Sequence, residues 1–185
     1  YSLAKLFDII EDKILNNISA LDSVEGRFER ISKNGINKIG IVDYAHSPDS
    51  IKKILKTLNE LKTADQFLIT VIGCGGDRDM DKRPLMGKIA ASLSDKVIFT
   101  SDNPRFEDPQ GIIKQIQSGV DNKDLHKVSI IIDRKKAIKY ACELNAEKDV
   151  ILVAGKGHEK YQIFGDSKIE FDDKKILKEF LTNNK

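Results

Sequence analysis

Residues 96–109 read Lys96-Val97-Ile98-Phe99-Thr100-Ser101-Asp102-Asn103-Pro104-Arg105-Phe106-Glu107-Asp108-Pro109. The apolar run Val97–Phe99 predicts a strand and Pro109 opens a helix, so Asp102–Arg105 form a loop leaving the C-terminal end of a strand. In an open α/β sheet that edge is where ligands bind. Pro104 restrains Asn103 and removes one donor, which stiffens the loop. The loop carries a carboxylate, an amide and a guanidinium, a set suited to a ligand with both a carboxylate and an ammonium. Arg105 can grip a carboxylate through two parallel hydrogen bonds, while Asp102 and Asn103 can accept from an amine or set the loop's shape. Taken alone, the tetrapeptide also reads as an Asn-Pro turn with a solvated arginine.

The same alternation continues on both sides. Strands are expected at 38–42, 66–72, 96–100, 127–132 and 149–153, and helices at 48–61, 84–93, 109–117, 133–144 and 172–181. A β-hairpin turning near Asn34-Gly35 precedes them, and a shorter hairpin surrounds Gly165-Asp166. Apolar strands alternating with helices call for right-handed crossovers and a sheet covered on both faces. The expected fold class is therefore α/β, a Rossmann-like, mostly parallel open sheet with helices on both faces. In residues 1–22, Leu3, Leu6, Phe7, Ile10, Ile14, Leu15 and Ile18 recur at helical spacing, an amphipathic helix whose stripe needs a partner. The composition breaks near 22–27, which places a domain boundary between 1–22 and 23–185.

Composition excludes several classes. Lys and Arg number 31 against 29 Asp and Glu, a net charge of +2 over 185 residues. The basic residues are dispersed, so no field points to nucleic acid or to an anionic membrane. Cys74 and Cys142 stand apart, with neither zinc-ligand spacing nor a disulfide pattern, and a reducing cytoplasm is the expected location. No apolar run approaches the roughly 20 residues of a membrane span. The chain opens at Tyr1 without a Met, which suggests a piece of something longer.

The remaining chemistry also falls at strand ends. After 38–42 come Asp43-Tyr44-Ala45-His46-Ser47-Pro48, with Ser47 a helix N-cap and Pro48 at the first helical position. Asp43 and His46 would stand beside a helix N-terminus, suited to a phosphate or a metal-bound nucleotide, unless the histidine merely caps or packs. After 66–72 come Gly73-Cys74-Gly75-Gly76-Asp77-Arg78-Asp79, whose glycines free the backbone to approach a ligand. Neither GxGxxG nor GxxxxGK[ST] occurs, so nothing here cradles the phosphates of ATP unaided. After 149–153 come Ala154-Gly155-Lys156-Gly157-His158-Glu159, where Glu159 offers a carboxylate to an ammonium and His158 a structural hydrogen bond. His126 reads as surface, and residues 118–126 carry no usable motif.

GRFE at 26–29, DYAHSPDS at 43–50, GCGGDRDMDKRPLMG at 73–87, SDNPR at 101–105 and AGKGHEKYQ at 154–162 occur in the order and at about the spacing of the C-terminal part of the Mur ligases. The resemblance runs from about residue 20 to near the end, and DNPR is similar to the branch that adds meso-diaminopimelate to a peptidoglycan precursor. It implies a three-domain cytoplasmic enzyme in which this chain is the third domain and residues 1–22 the last helix of the central ATPase domain. The N-terminal and central domains would bind the UDP-sugar and, through a P-loop and Mg2+, ATP. The implied reaction activates the carboxylate of UDP-MurNAc-L-Ala-D-Glu as an acyl phosphate, which the incoming amine attacks to give an amide, ADP and phosphate. By the same resemblance, Arg78, Asp102, Asn103, Arg105, Gly155 and Glu159 bind meso-diaminopimelate, while Arg27, Asp43 and His46 meet the nucleotide across the domain cleft. No catalytic residue and no metal ligand is assigned to this chain, which is expected to be inactive alone. Competing readings are an L-lysine-adding or folate polyglutamylating ligase and a non-catalytic binding module of the same fold. A nicotinamide-dependent oxidoreductase lacks its glycine fingerprint here.

Overall fold

A computed structural model of the chain describes residues 24–32, 37–144 and 148–183. The expected N-terminal helix, the boundary at 22–23 and the turn at Asn34-Gly35 lie outside the described residues. In chain order the elements are β1 (Glu29–Ile31), β2 (Ile39–Asp43), α1 (Pro48–Leu61), β3 (Leu68–Ile72), α2 (Lys82–Leu93), β4 (Lys96–Phe99), α3 (Pro109–Gln117), β5 (Val128–Ile130), α4 (Arg134–Glu143), β6 (Val150–Ala154), β7 (Tyr161–Phe164), β8 (Ser167–Glu170) and α5 (Asp173–Asn183).

The main sheet has the order β1-β2-β6-β3-β4-β5, and β7 pairs with β8 in a separate hairpin. Only β1 is antiparallel; one row of partners across the parallel strands runs Ile41, Leu152, Thr70, Val97, Val128. Because side chains alternate along a strand, two cores form. Leu68, Ile72, Val97, Phe99 and Leu152 pack with α1, α2 and α3, whereas Ile69, Val71, Ile98, Ile151 and Val153 pack with α4 and α5. The central strands β3 and β6 are buried along their whole length, as a parallel sheet covered on both faces requires. Thr70, the polar residue in β3, is accommodated by its 2.8 Å hydroxyl contact with Ser94.

Local signals explain the helix starts. Ser47 caps α1 in a reciprocal capping box with Ser50, and Pro48 sits where no N–H partner is needed. Asp108 caps α3 and Asp133 caps α4 through side-chain bonds to backbone N–H groups. Most spans shift by a residue or two at their ends, and two of the changes have a visible cause. The expected strand 127–132 contracts to β5 because Asn122–Lys127 close into a 3-10 turn held by a 2.8 Å Lys127–Asp124 ion pair. Helix α2 starts at Lys82, ahead of Pro84, which the first turn tolerates.

All the parallel strands present their C-terminal ends to one edge. From β3 the chain moves through α2 to β4, whereas from β6 it leaves through the hairpin and α5, which packs back on β2 and β1. The neighbours β6 and β3 therefore send their connections in opposite directions. Their ends form a topological switch point, where such sheets bind ligands.

Candidate functional site

Four loops meet at this edge: 24–28, 43–47, 73–79 and 100–108, with 155–160 wedged among them. The loop after β3 and the loop after β4 are stapled together. Gly76 N–H donates to the Asn103 carbonyl at 2.8 Å, and Arg105 NH1 donates back to the Gly76 carbonyl at 2.8 Å. Gly76 lies so close to Pro104 that a Cβ there would overlap the Pro104 carbonyl. Beneath them Arg83, fully buried, grips both oxygens of Glu107 at 2.7 and 2.8 Å and also reaches Gln115 and the Gly75 carbonyl. Glu107 accepts in addition from Asp77 N–H at 2.5 Å. The Arg83 guanidinium, joined by that backbone amide, holds the Glu107 carboxyl down to about 2.

Non-glycine residues with positive φ are Phe28 (46°), Asp77 (51°) and Arg105 (53°) among the described residues, all on these loops. Such backbone is costly and persists where the surroundings over-determine it. Arg105 is held by bonds from its N–H to Ile163 O at 3.0 Å and from Gly165 N–H to its carbonyl at 2.7 Å. The loop thereby adds to the β7–β8 hairpin, and Gln162 donates to the Asp102 carbonyl at 2.8 Å. From below, Arg134 pairs with Asp173 at 2.7 and 2.8 Å while donating to the carbonyls of Ala154 and Ser101, tying α4 and α5 to two strand ends. Both side chains of this pair are fully buried.

At the centre lies a charged cluster. Asn103 donates from Nδ2 to Glu159 Oε2 at 2.9 Å, and its Oδ1 accepts from Lys156 Nζ at 3.0 Å and from Ile163 N–H at 3.1 Å. Lys156 Nζ also lies 3.2 Å from Glu159 Oε2 and 3.7 Å from Asp102 Oδ1. Gly155, with φ +113°, passes so close to Asp102 that a Cβ would stand 2.6 Å from its Oδ2. The expected set Asp102, Asn103, Arg105, Gly155 and Glu159 is thus gathered in one place. Arg78 is exposed on the rim, its NH1 donating to Asp77 O at 3.0 Å. Among the described residues, Nε and NH2 of Arg105 and Oε1 of Glu159 carry no hydrogen bond.

Beside this cluster the Tyr44 ring meets His46 edge-on and His158 at a tilt, at centroid distances of 4.6 and 5.1 Å, and Arg27 stands over the same ring at 5.4 Å. Arg27, His46 and Asp43 are therefore neighbours. The Asp43 carboxylate is occupied, however, accepting from Phe28 N–H and Ala45 N–H at 2.7 Å each. It fixes the two loops to each other. His46 is likewise turned toward Tyr44 O at 2.8 Å. Gly155 N–H donates to Asp43 O at 3.1 Å, so the loop after β6 joins this group to the charged cluster. Cys74 sits below the glycine loop with its thiol pushed up to about 12 by burial, which makes it a packing residue rather than a nucleophile. No three His, Cys, Asp or Glu side chains among the described residues are grouped to hold a metal ion.

The sequence of residues 26–157 matches the profile of the family described as "Mur ligase, glutamate ligase domain". The chain belongs to the Mur ligase family, as its C-terminal domain. It is 49% identical over 182 residues to UDP-N-acetylmuramoyl-L-alanyl-D-glutamate–2,6-diaminopimelate ligase of Cytophaga hutchinsonii, covering 98% of this chain and 37% of that relative. A solved structure of a protein of the same name superposes with a TM-score of 0.78 at 37% identity, over 97% of this chain and 36% of that one. At 19% identity and a TM-score of 0.63, the UDP-N-acetylmuramate-alanine ligase MurC of Thermotoga maritima shares the fold over 98% of this chain and 35% of its own. The chain thus spans little more than a third of the relatives it matches.

Within this Mur ligase domain, sequence reasoning missed Lys156, Arg83, Glu107, Gln162 and the Arg134–Asp173 pair. Lys156 stands inside the quoted motif AGKGHEKYQ, and its position directly after a buried strand was a usable signal. Arg83 and Glu107 stand in charged stretches that carry no local sign of their pairing.

Proposed function

We propose that this domain holds and orients meso-diaminopimelate while a full-length ATP-dependent ligase joins it to UDP-MurNAc-L-Ala-D-Glu. The observation that carries the reading is the pairing, at one edge of the sheet, of a net-negative cluster with an incompletely bonded guanidinium. Lys156 balances only one of Asp102 and Glu159, leaving Glu159 Oε1 for a ligand ammonium, while Arg105 keeps Nε and NH2 for a carboxylate. Such a pair of subsites fits the distal amino-acid end of diaminopimelate, whose side-chain carboxylate lysine lacks. Asn103 acts by shaping the pocket, Gly155 by keeping it open, and Arg78 supplies a second cation at the rim.

In this reading the domain's chemical contribution is proximity and orientation of the attacking amine, not general-base catalysis. Arg27 and His46, flanking the Tyr44 ring, face the nucleotide, and Asp43 contributes by fixing the loops that carry them. Magnesium is assigned mainly to the central domain, and among the described residues no three His, Cys, Asp or Glu side chains are grouped to hold a metal ion. ATP and the UDP-sugar belong to the N-terminal and central domains of the same polypeptide. A cytoplasmic location goes with that assignment.

The test is phosphate release by the full-length parent protein with ATP, Mg2+ and UDP-MurNAc-L-Ala-D-Glu, offering meso-diaminopimelate and L-lysine separately. Release dependent on diaminopimelate is expected. Release with lysine alone would keep the ligase and overturn the substrate, and release with neither would overturn the ligase reading.

A further inference from the structure

We propose that Lys156 is the positioning residue that gives the amino-acid pocket its polarity, acting through Asn103 and Glu159 without touching the ligand; this rests on the reading above. The side chain is fully buried. A buried ammonium is retained only where partners offset its desolvation, and here they are Asn103 Oδ1 at 3.0 Å, Glu159 Oε2 at 3.2 Å and Asp102 Oδ1 at 3.7 Å, with the Tyr161 ring 5.5 Å away.

Two consequences follow from that geometry. The first concerns Asn103, whose amide has an oxygen end and a nitrogen end. Lys156 can only donate, so it faces the oxygen, and the Nδ2 end is forced toward Glu159. Glu159 Oε2 then receives both Asn103 and Lys156, and Oε1 alone is left to accept. The second concerns charge. One lysine among two carboxylates leaves a single negative charge, matched to a single ammonium. Without the lysine the pocket holds two adjacent carboxylates, and the Asn103 amide keeps only the Ile163 N–H to orient its oxygen end.

The experiment uses the full-length parent protein carrying Lys156→Met, an apolar side chain of similar length, or Lys156→Gln, which keeps a donor without the charge. In both, the KM for meso-diaminopimelate is expected to rise about 10–100-fold, the range of a lost charge-assisted hydrogen bond. The KM for ATP and kcat at saturating amino acid should stay within about threefold. Thermal melting establishes that each variant is folded, and if the Met variant is not, the Gln variant decides. An unchanged KM for diaminopimelate, a parallel rise in the KM for ATP, or failure of both variants to fold overturns the proposal. Lack of turnover by the unmodified enzyme with diaminopimelate would sink the amino-acid reading and this inference with it. Normal turnover by the unmodified enzyme alongside unchanged KM in both variants would sink the inference alone.

Discussion

Three charged groups lie under the same loops, two built in one way and one in the opposite way. In the Arg83–Glu107 clamp one cation meets one carboxylate, both carboxylate oxygens are taken, and a backbone amide adds a third bond. The Arg134–Asp173 pair is closed in the same sense. Around Lys156 one cation meets two carboxylates, Glu159 Oε1 accepts no hydrogen bond, and the Asp102 carboxylate meets the ammonium only at 3.7 Å. A closed pair has spent its electrostatics on the fold. An open one holds an interaction in reserve, which the proposed reading gives to the incoming amino acid. The contrast assigns stability to the first two and binding to the third, and each assignment can be broken separately.

The largest effect is expected from Asp173→Ala. It strands a fully buried guanidinium, which should cost about 3–5 kcal/mol in denaturant unfolding. Replacing both partners, Arg134→Met with Asp173→Leu, should recover most of that loss; failure to recover would mean the arginine's bonds to Ala154 and Ser101 matter more than the pair. Glu107→Gln comes next, at about 1.5–3 kcal/mol for a charge-assisted clamp. Its pH dependence follows from the sign of the shift. The Glu107 carboxyl falls from 4.5 to about 2 on folding. Its contribution is therefore complete above pH 4.5 and lost as the pH drops toward 2. Acid unfolding followed between those limits should be flatter in Glu107→Gln than in the unmodified chain.

Gly155→Ala should cost about 1–3 kcal/mol, because alanine at positive φ is strained and its Cβ would meet Asp102 Oδ2 at 2.6 Å. The loss should appear in the amino-acid KM as well, since Asp102 must move. Arg105→Ala is expected to have the smallest effect on unfolding, below about 1 kcal/mol for a half-exposed side chain with bonds to two carbonyls. It should nonetheless raise the KM for diaminopimelate about tenfold or more and erase discrimination against lysine. A stability loss as large as that of Glu107→Gln, with selectivity intact, would move Arg105 to the closed, structural side of the comparison.

What was legible in the sequence follows the range of the forces involved. Strands and helices were read from apolar periodicity, and the starts of α1 and α3 from Ser47, Pro48 and Pro109, because caps and amphipathic faces are written within a few neighbouring residues. The contraction of β5 was not legible, since the Asp124–Lys127 pair that tightens the preceding turn looks like any charged run. Strand ends identified which loops could carry a site, and the motifs in them pointed to the Mur ligase family. The same sequence left open whether Asn103 meets a ligand or sets the loop's shape. The bonding of the Asn103 side-chain oxygen was decided by Lys156 and Ile163, more than fifty residues away. So were the burial of Arg83, the occupation of the Asp43 carboxylate by two backbone amides, and the surplus charge beside Glu159. The chain by itself determined the elements, their alternation and the edge on which chemistry collects, since those depend on local propensity and burial. Only the tertiary structure decided which charges are spent and which are held open, because that depends on partners brought together across the sheet at hydrogen-bond distance.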